Sequence, residues 1–206
     1  MNYIDITRQI EEGMPVYPGN PDPEIEQYRQ IPEDSTTESR ISIGSHTATH
    51  VDAPIHVFED GESVKDMDLE AFHGEAQVLD LTDQEEAVTK ESLKEKEIES
   101  SIVLLKTMNS LRDFEVFDKD FIYLSLDAAE YLIEQNVKTV AIDYLSLVKF
   151  NGGIDAEKAH QIANKEMTVI EAVDLKEAEE KKYTFSGFPL KISADGAPLR
   201  AVLMEK

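Results

Sequence analysis

Three of the chain's five histidines fall within GSHTATHVDAPIH, Gly44 to His56, and an aspartate stands among them. The spacing is His46-x3-His50-x-Asp52-x3-His56. Neutral imidazole and carboxylate hold Zn²⁺ or Mn²⁺ where thiolate is absent, and this chain has no cysteine. Three protein ligands leave a coordination position for water, which is the catalytic arrangement. His46, His50 and Asp52 form such a set, provided the backbone bends. Fully extended, residues 46 and 50 would place their Cα atoms about 13 Å apart at roughly 3.3 Å per residue, too far for two imidazoles to share one ion. Thr47, Ala48 and Thr49 are small, and Gly44 and Ser45 precede them, so a bend is feasible. His50 and Asp52 are two apart, and an extended local backbone points both the same way. The two oxygens of Asp52 could bridge two ions. His56 follows Pro54, which fixes the chain locally. Imidazole titrates near neutral pH, so a histidine just beyond the ligands suits a general acid or base.

A second group lies far along the chain. His160 sits in DAEKAHQIANKE, and Glu171 sits in TVIEAVDL. A glutamate inside an apolar strand is costly unless it is paired or bound to a cation. With Asp52 bridging, His160 and Glu171 could hold a second metal. His73, in AFHGEA, has no companion and reads as structural.

These residues need elements to position them. Apolar and β-branched runs at 3–7, 40–45, 76–81, 101–107, 139–147, 168–175, 188–193 and 200–204 read as strands. RISIGS alternates, with Ile41 and Ile43 on one side. SIVLLKT is continuous, as a strand buried on both faces would be. SLDAAEYLIEQN reads as a helix capped by Ser125, with Ala128, Leu132 and Ile133 on one stripe. DAEKAHQIANKE opens a second helix at Asp155 after Gly152 and Gly153. TKESLKEKEIE, from 89 to 99, reads as a third and more exposed one. Strands mixed with helices point to one α/β or α+β domain over residues 1–206, built on a mixed sheet.

Composition narrows the function. The 206 residues, 41% of them hydrophobic, suffice for a packed core. The formal net charge of −23 repels phosphate backbones, which argues against nucleic acid as a partner. The acids cluster in TDQEEAVTKESLKEKEIES and DLKEAEEKKY, which read as solvated faces. No apolar stretch reaches the roughly 20 residues of a membrane helix, and the opening lacks a signal peptide, so a cytoplasmic protein with no membrane contact is expected.

Taken together, these motifs resemble the kynurenine formamidase-like, or cyclase, family of metal-dependent hydrolases. SHTATHVDAPIH resembles the family signature. IDITRQIEEGMPVYPGNPDP is similar to its opening, with the Tyr-Pro-Gly turn at Tyr17 to Gly19. SLDAAEYLIEQNVKTVAIDYLSL, HQIANKEMTVIEAVDL and FPLKISADGAPLRAVL resemble later segments, so nearly the whole chain is covered. The resemblance implies a swivelling β/β/α domain with a mixed sheet and flanking helices, assembled as a homodimer or homotetramer. It implies a first metal on His46, His50 and Asp52, a second on Asp52, His160 and Glu171, and a catalytic His56. The ions would be zinc or manganese, one or two per chain. The substrate would be a small non-peptide amide of the N-formylkynurenine type, or alternatively a cyclic amide such as isatin. Three departures stand out: Ala48 where the family usually has glycine, Asn20 in place of aspartate, and a segment from His160 to Glu171 one residue short. Ala48 and the short segment motivate a rival reading, a non-catalytic metal- or ligand-binding protein of the same fold. A closed, purely structural metal site is a third.

Overall fold

The computed structural model describes residues 2–205. The first half of the chain forms β1 (Asn2–Asp5), β2 (Glu24–Arg29), β3 (Glu38–Ser42), β4 (His50–Asp52), β5 (His73–Asp80), β6 (Ala87–Val88), α1 (Lys90–Lys94) and β7 (Ile102–Lys106). The second half forms β8 (Tyr123–Leu124), α2 (Leu126–Glu134), β9 (Thr139–Ile142), α3 (Gly153–Glu166), β10 (Thr168–Glu171), β11 (Lys182–Ser186), β12 (Gly196–Pro198) and β13 (Val202–Glu205). This is a mixed α/β fold around one nine-stranded sheet, ordered β1-β13-β11-β5-β7-β9-β10-β4-β12.

The sheet has a parallel centre and antiparallel flanks. β5, β7, β9 and β10 run parallel. The first four residues of β7 are buried, as its unbroken apolar run requires of a strand covered on both faces. Successive residues of a strand point to opposite faces, and the core divides accordingly. Ile102, Leu104, Ala141 and Ile170 join a cluster with Ile6, Phe72, Phe185 and Leu203 on one face. Val103, Leu105, Val140, Ile142 and Val169 join Leu93, Ala128, Leu132 and Ala163 on the other. Residues from all three helices therefore cover the second face.

The α2 helix follows Ser125, whose backbone is extended as an N-cap residue's is. Of its expected stripe, Ala128 and Leu132 are buried and Ile133 packs at the margin. The α3 helix starts at Gly153, earlier than expected; this glycine has φ +66°, a conformation that glycine adopts without strain. The expected helix over 89–99 shrinks to α1, closed at its start by a reciprocal capping box between Thr89 and Ser92. No helix among the described residues is long and apolar enough to cross a membrane.

Two expectations about strands change. Residues 188–193 form no strand; only Pro189 makes an isolated bridge, to Leu199, and proline cannot donate to a ladder. The strand lies earlier, in β11, where Tyr183 and Phe185 alternate inward from a stretch beginning in the acidic and basic run. The 40–45 run does pair, but as β3 with β2 in a separate two-stranded sheet, and Ile41 is exposed.

Candidate metal centre

Alternation along the sheet brings buried acids to the helix-covered face. On β10, Val169 belongs to the helix-side core, so Glu171, two residues on, points the same way. β4 pairs antiparallel with β10, placing Asp52 opposite Val169 and His50 opposite Glu171. Directly opposite residues share a face. His50, Asp52 and Glu171 thus converge below α3, which carries His160.

The bend that delivers His46 occurs at Ala48, with φ +54°. This is the left-handed region, in which only glycine is at ease. The surroundings hold it there. Thr49 donates its hydroxyl to the Ala172 carbonyl at 2.6 Å and accepts the Arg8 amide at 2.8 Å. The Leu199 amide donates to the Thr49 carbonyl at 3.0 Å.

The Ala48 carbonyl lies 2.8 Å from His50 Nδ1, which makes that nitrogen the N–H donor and leaves Nε2 with the lone pair. His50 Nε2 is buried without a hydrogen-bond partner. It lies 3.3 Å from Asp52 Oδ1 and 3.5 Å from Glu171 Oε2. Asp52 also receives two further histidines: His46 Nδ1 reaches Oδ1 at 2.8 Å, and His160 Nε2 reaches Oδ2 at 3.1 Å. Potential ligand atoms of His50, Asp52 and Glu171 all lie within 4.8 Å of one another, and so do those of His46, Asp52 and His56. The geometry thus gathers every residue singled out from the sequence as a ligand or catalytic group. Its tight groupings differ from the expected pair of triads, because His50 sits beside Glu171 and His56 beside His46. His73 stays apart, stacked against Phe188 at 6.3 Å.

Electrostatics divides the two buried carboxylates. Burial alone would raise the Asp52 pKa, but hydrogen bonds from His160 and His46, with the His50 imidazole close by, hold it well below the usual carboxylate value. Burial and the Asp52 charge push Glu171 well above its own, and the Leu147 amide, at 2.5 Å from Oε1, opposes this only in part. Burial works against the charged form of His46, yet Asp52 and Asp195 outweigh it and raise its pKa. His56 is lowered, first by burial and then by the neighbouring His46 and His160 against the pull of Asp52 and Asp195.

These observations test whether a cation suits the site. A buried imidazole lone pair without a donor faces two buried carboxylates that repel each other. Nitrogen and oxygen donors of this kind fit Zn²⁺ or Mn²⁺, and a divalent charge would relieve the repulsion.

Several residues at the site escaped the sequence reading. Asp195 lies 2.9 Å from His46 Nε2. Tyr17 and Asn20, ends of the Tyr-Pro-Gly turn, line a cavity of about 230 Å³ together with His56, Ser146, His160 and Glu171. The Asn20 amide donates to the Tyr17 carbonyl at 2.9 Å, closing that turn. Tyr17 meets Phe117 and Phe150 edge-on, at 5.5 and 5.8 Å between ring centres. The signal for Tyr17 was the turn motif itself.

With this fold and site in view, the chain belongs to the putative cyclase family, whose pattern it matches over residues 4–147. The match includes His46, His50, Asp52 and His56 and ends before His160. The chain is 28% identical to a kynurenine formamidase from Bacillus cereus over 98% of its own length and 96% of the relative's. A solved structure described as a predicted metal-dependent hydrolase from Bacillus stearothermophilus superposes with a TM-score of 0.83, at 33% identity, covering 98% of this chain and 97% of that one. Isatin hydrolase A from Labrenzia aggregata superposes with a TM-score of 0.86 over 100% of this chain and 94% of its own; at 21% identity, that likeness speaks for the fold alone.

Proposed function

We propose that this protein is a metal-dependent amidohydrolase that cleaves the carbon–nitrogen bond of a small non-peptide amide, of the arylformamidase type. The observation that carries the reading is the partnerless Nε2 of His50, held between the carboxylates of Asp52 and Glu171 with His46 and His160 on the same aspartate. The resemblance to the Bacillus cereus formamidase over nearly full length supports the substrate class. His46, His50 and Asp52 would hold one Zn²⁺ or Mn²⁺, and Asp52, His160 and Glu171 a second. A bound ion of this kind supplies Lewis acidity toward a carbonyl and makes water acidic enough to ionise near neutral pH.

The chain's own groups supply the rest. His56 lines the cavity and has a lowered pKa, so it is neutral at pH 7 and able to accept a proton from attacking water. It then returns that proton to the departing nitrogen, so that water is added across the bond: hydroxyl to the carbonyl carbon, hydrogen to the amine. Tyr17, backed by Phe117 and Phe150, offers an aromatic wall for an aryl group. The same reading includes a homodimer or homotetramer; exposed Ile25, Ile41, Phe188 and Leu190 border one groove, which supports it.

The test is hydrolysis of N-formylkynurenine, formanilides and isatin by protein stripped with chelator and then reloaded with Zn²⁺ or Mn²⁺. Metal-restored turnover of the formyl amides is expected. Turnover of isatin alone would move the assignment to cyclic amides. Binding of metal without turnover of any of them would favour the non-catalytic reading.

A further inference from the structure

We infer that Asp195 is a positioning residue of this centre, its carboxylate fixing the ring of His46 and the facing nitrogen of His56 together. The inference rests on the metal-dependent reading above. One oxygen, Oδ2, lies 2.9 Å from His46 Nε2 and 3.5 Å from His56 Nδ1. The other, Oδ1, accepts the Ser45 hydroxyl at 3.0 Å. The carboxylate is therefore held from its far side by the loop that leads into His46.

Its backbone is held as well. The Ala53 amide donates to the Asp195 carbonyl at 2.9 Å, and the Val64 amide donates to the Ala194 carbonyl at 3.1 Å. The next residue, Gly196, pairs with Asp52 at the start of β12. A Cβ at Gly196 would come 2.8 Å from His46 Cε1 and 3.0 Å from the Val51 carbonyl oxygen. Only a bare backbone fits there. His46 is thus fixed on three sides: Nε2 by Asp195, Nδ1 by Asp52, and Cε1 by Gly196.

The chemistry of this arrangement is specific. A ligand imidazole that donates its second N–H to a carboxylate has its tautomer and orientation set, and its basicity raised. With Asp195 on Nε2, the nitrogen left for a cation is Nδ1, which faces Asp52. The same oxygen beside His56 Nδ1 favours a proton there and leaves Nε2 as the acceptor. Asp195 stands behind the histidines and is absent from the cavity lining, so it acts through them.

The experiment compares Asp195→Ala and the isosteric Asp195→Asn with wild type, using Zn²⁺ alone as probe in competition with a chromophoric chelator. N-formylkynurenine kinetics at saturating Zn²⁺ are measured in parallel. For Asp195→Ala, Zn²⁺ affinity is expected to fall about 10- to 100-fold. Asp195→Asn, which keeps an acceptor oxygen, should recover part of that loss. At saturating Zn²⁺ kcat should fall about tenfold while KM stays within about twofold, as expected when an orienting group is lost and substrate binding is not. Unchanged Zn²⁺ affinity in both variants would overturn the inference and leave the hydrolase reading standing. Weakened Zn²⁺ binding with full kcat at saturation would overturn the part concerning His56. A wild-type protein that binds neither Zn²⁺ nor Mn²⁺ would overturn both. Should Asp195→Ala fail to fold, the Asp195→Asn comparison decides alone.

Discussion

Glu171 stands directly opposite His50 across the antiparallel pair of β10 and β4, with its Oε2 3.5 Å from the imidazole Nε2. The contact joins two short strands far apart in sequence and places a second carboxylate beside Asp52. Both acids are nearly inaccessible to water. Without a cation their proximity is unfavourable, and it adds to burial, the larger cause, in raising the Glu171 pKa.

That rise has a stability signature. A carboxylate with a raised folded pKa binds more protons in the folded than in the unfolded state above pH 4.5. Stability therefore falls as pH climbs from about 4.5 through the folded value. Glu171→Gln removes this loss. In chelator-treated protein, the variant should melt with wild type near pH 4 and above it at pH 7. Adding Zn²⁺ should reverse the order at pH 7, since wild type gains a ligand interaction that the variant lacks. Thermal melts across pH, with and without Zn²⁺, check both signs. A variant less stable than wild type in the metal-free state at pH 7 would contradict the argument.

His56 separates ligation from catalysis. Its ring lies 4.2 Å from that of His46 and 5.3 Å from that of His160, yet it does not share the Asp52 carboxylate in a hydrogen bond. His56→Ala should leave metal content near wild type by elemental mass spectrometry. Turnover should drop by about 10²- to 10⁴-fold, the usual contribution of a positioned acid–base group. Full turnover would remove His56 from the mechanism.

Much of this centre could be read from the chain, and the remainder has identifiable reasons for being hidden. The two-residue spacing of His50 and Asp52 correctly implied a shared face. A charged Glu171 in an apolar run implied an acid paired or bound to a cation, and Glu171 is buried beside His50 and Asp52. Its apposition to His50 was not legible, because pairing between residues so distant follows from the whole sheet and not from local pattern. Asp195 was hidden differently. It is one of 43 acidic residues, in a short stretch without periodicity, and only the return of β12 beside β4 gives it a role. The strand β11 was masked by neighbouring charges, since its alternating Tyr183 and Phe185 begin only after a lysine pair.

The bend at Ala48 gives a further prediction. Ala48 is buried and sits at φ +54°. A β-branched side chain at positive φ is more strained than alanine, and a buried site has no room for added methyl groups. Ala48→Val should lose about 1–3 kcal/mol of stability, and its Zn²⁺ affinity should fall with it because His46 and His50 flank the bend. Ala48→Gly should hold its metal affinity. Denaturant melts and chelator competition on the two variants test the ordering, and equal behaviour would mean that the bend does not set the ligands.

Asp143 provides the contrast of a buried acid built for structure. It is fully inaccessible, and burial raises its pKa against the hydrogen bonds it receives. Its carboxylate accepts the amides of Thr107 and Ser110 at 2.8 and 3.0 Å and the Thr107 hydroxyl at 2.8 Å. Asn109 Nδ2 approaches at 3.3 Å and also donates to the Ile122 carbonyl at 2.8 Å. Every contact ties the turn after β7 to the end of β9, and none reaches the histidine cluster. Asp143→Asn would turn an amide group toward these donors and leave at least one of them unsatisfied, at a cost of about 1–3 kcal/mol. Stability should fall by that order in urea titrations, while Zn²⁺ stoichiometry and kcat of the folded fraction stay at wild-type values. Loss of metal from a still-folded Asp143→Asn protein would show instead that this acid communicates with the centre, and the division between the structural and the metal-facing carboxylates would have to be redrawn.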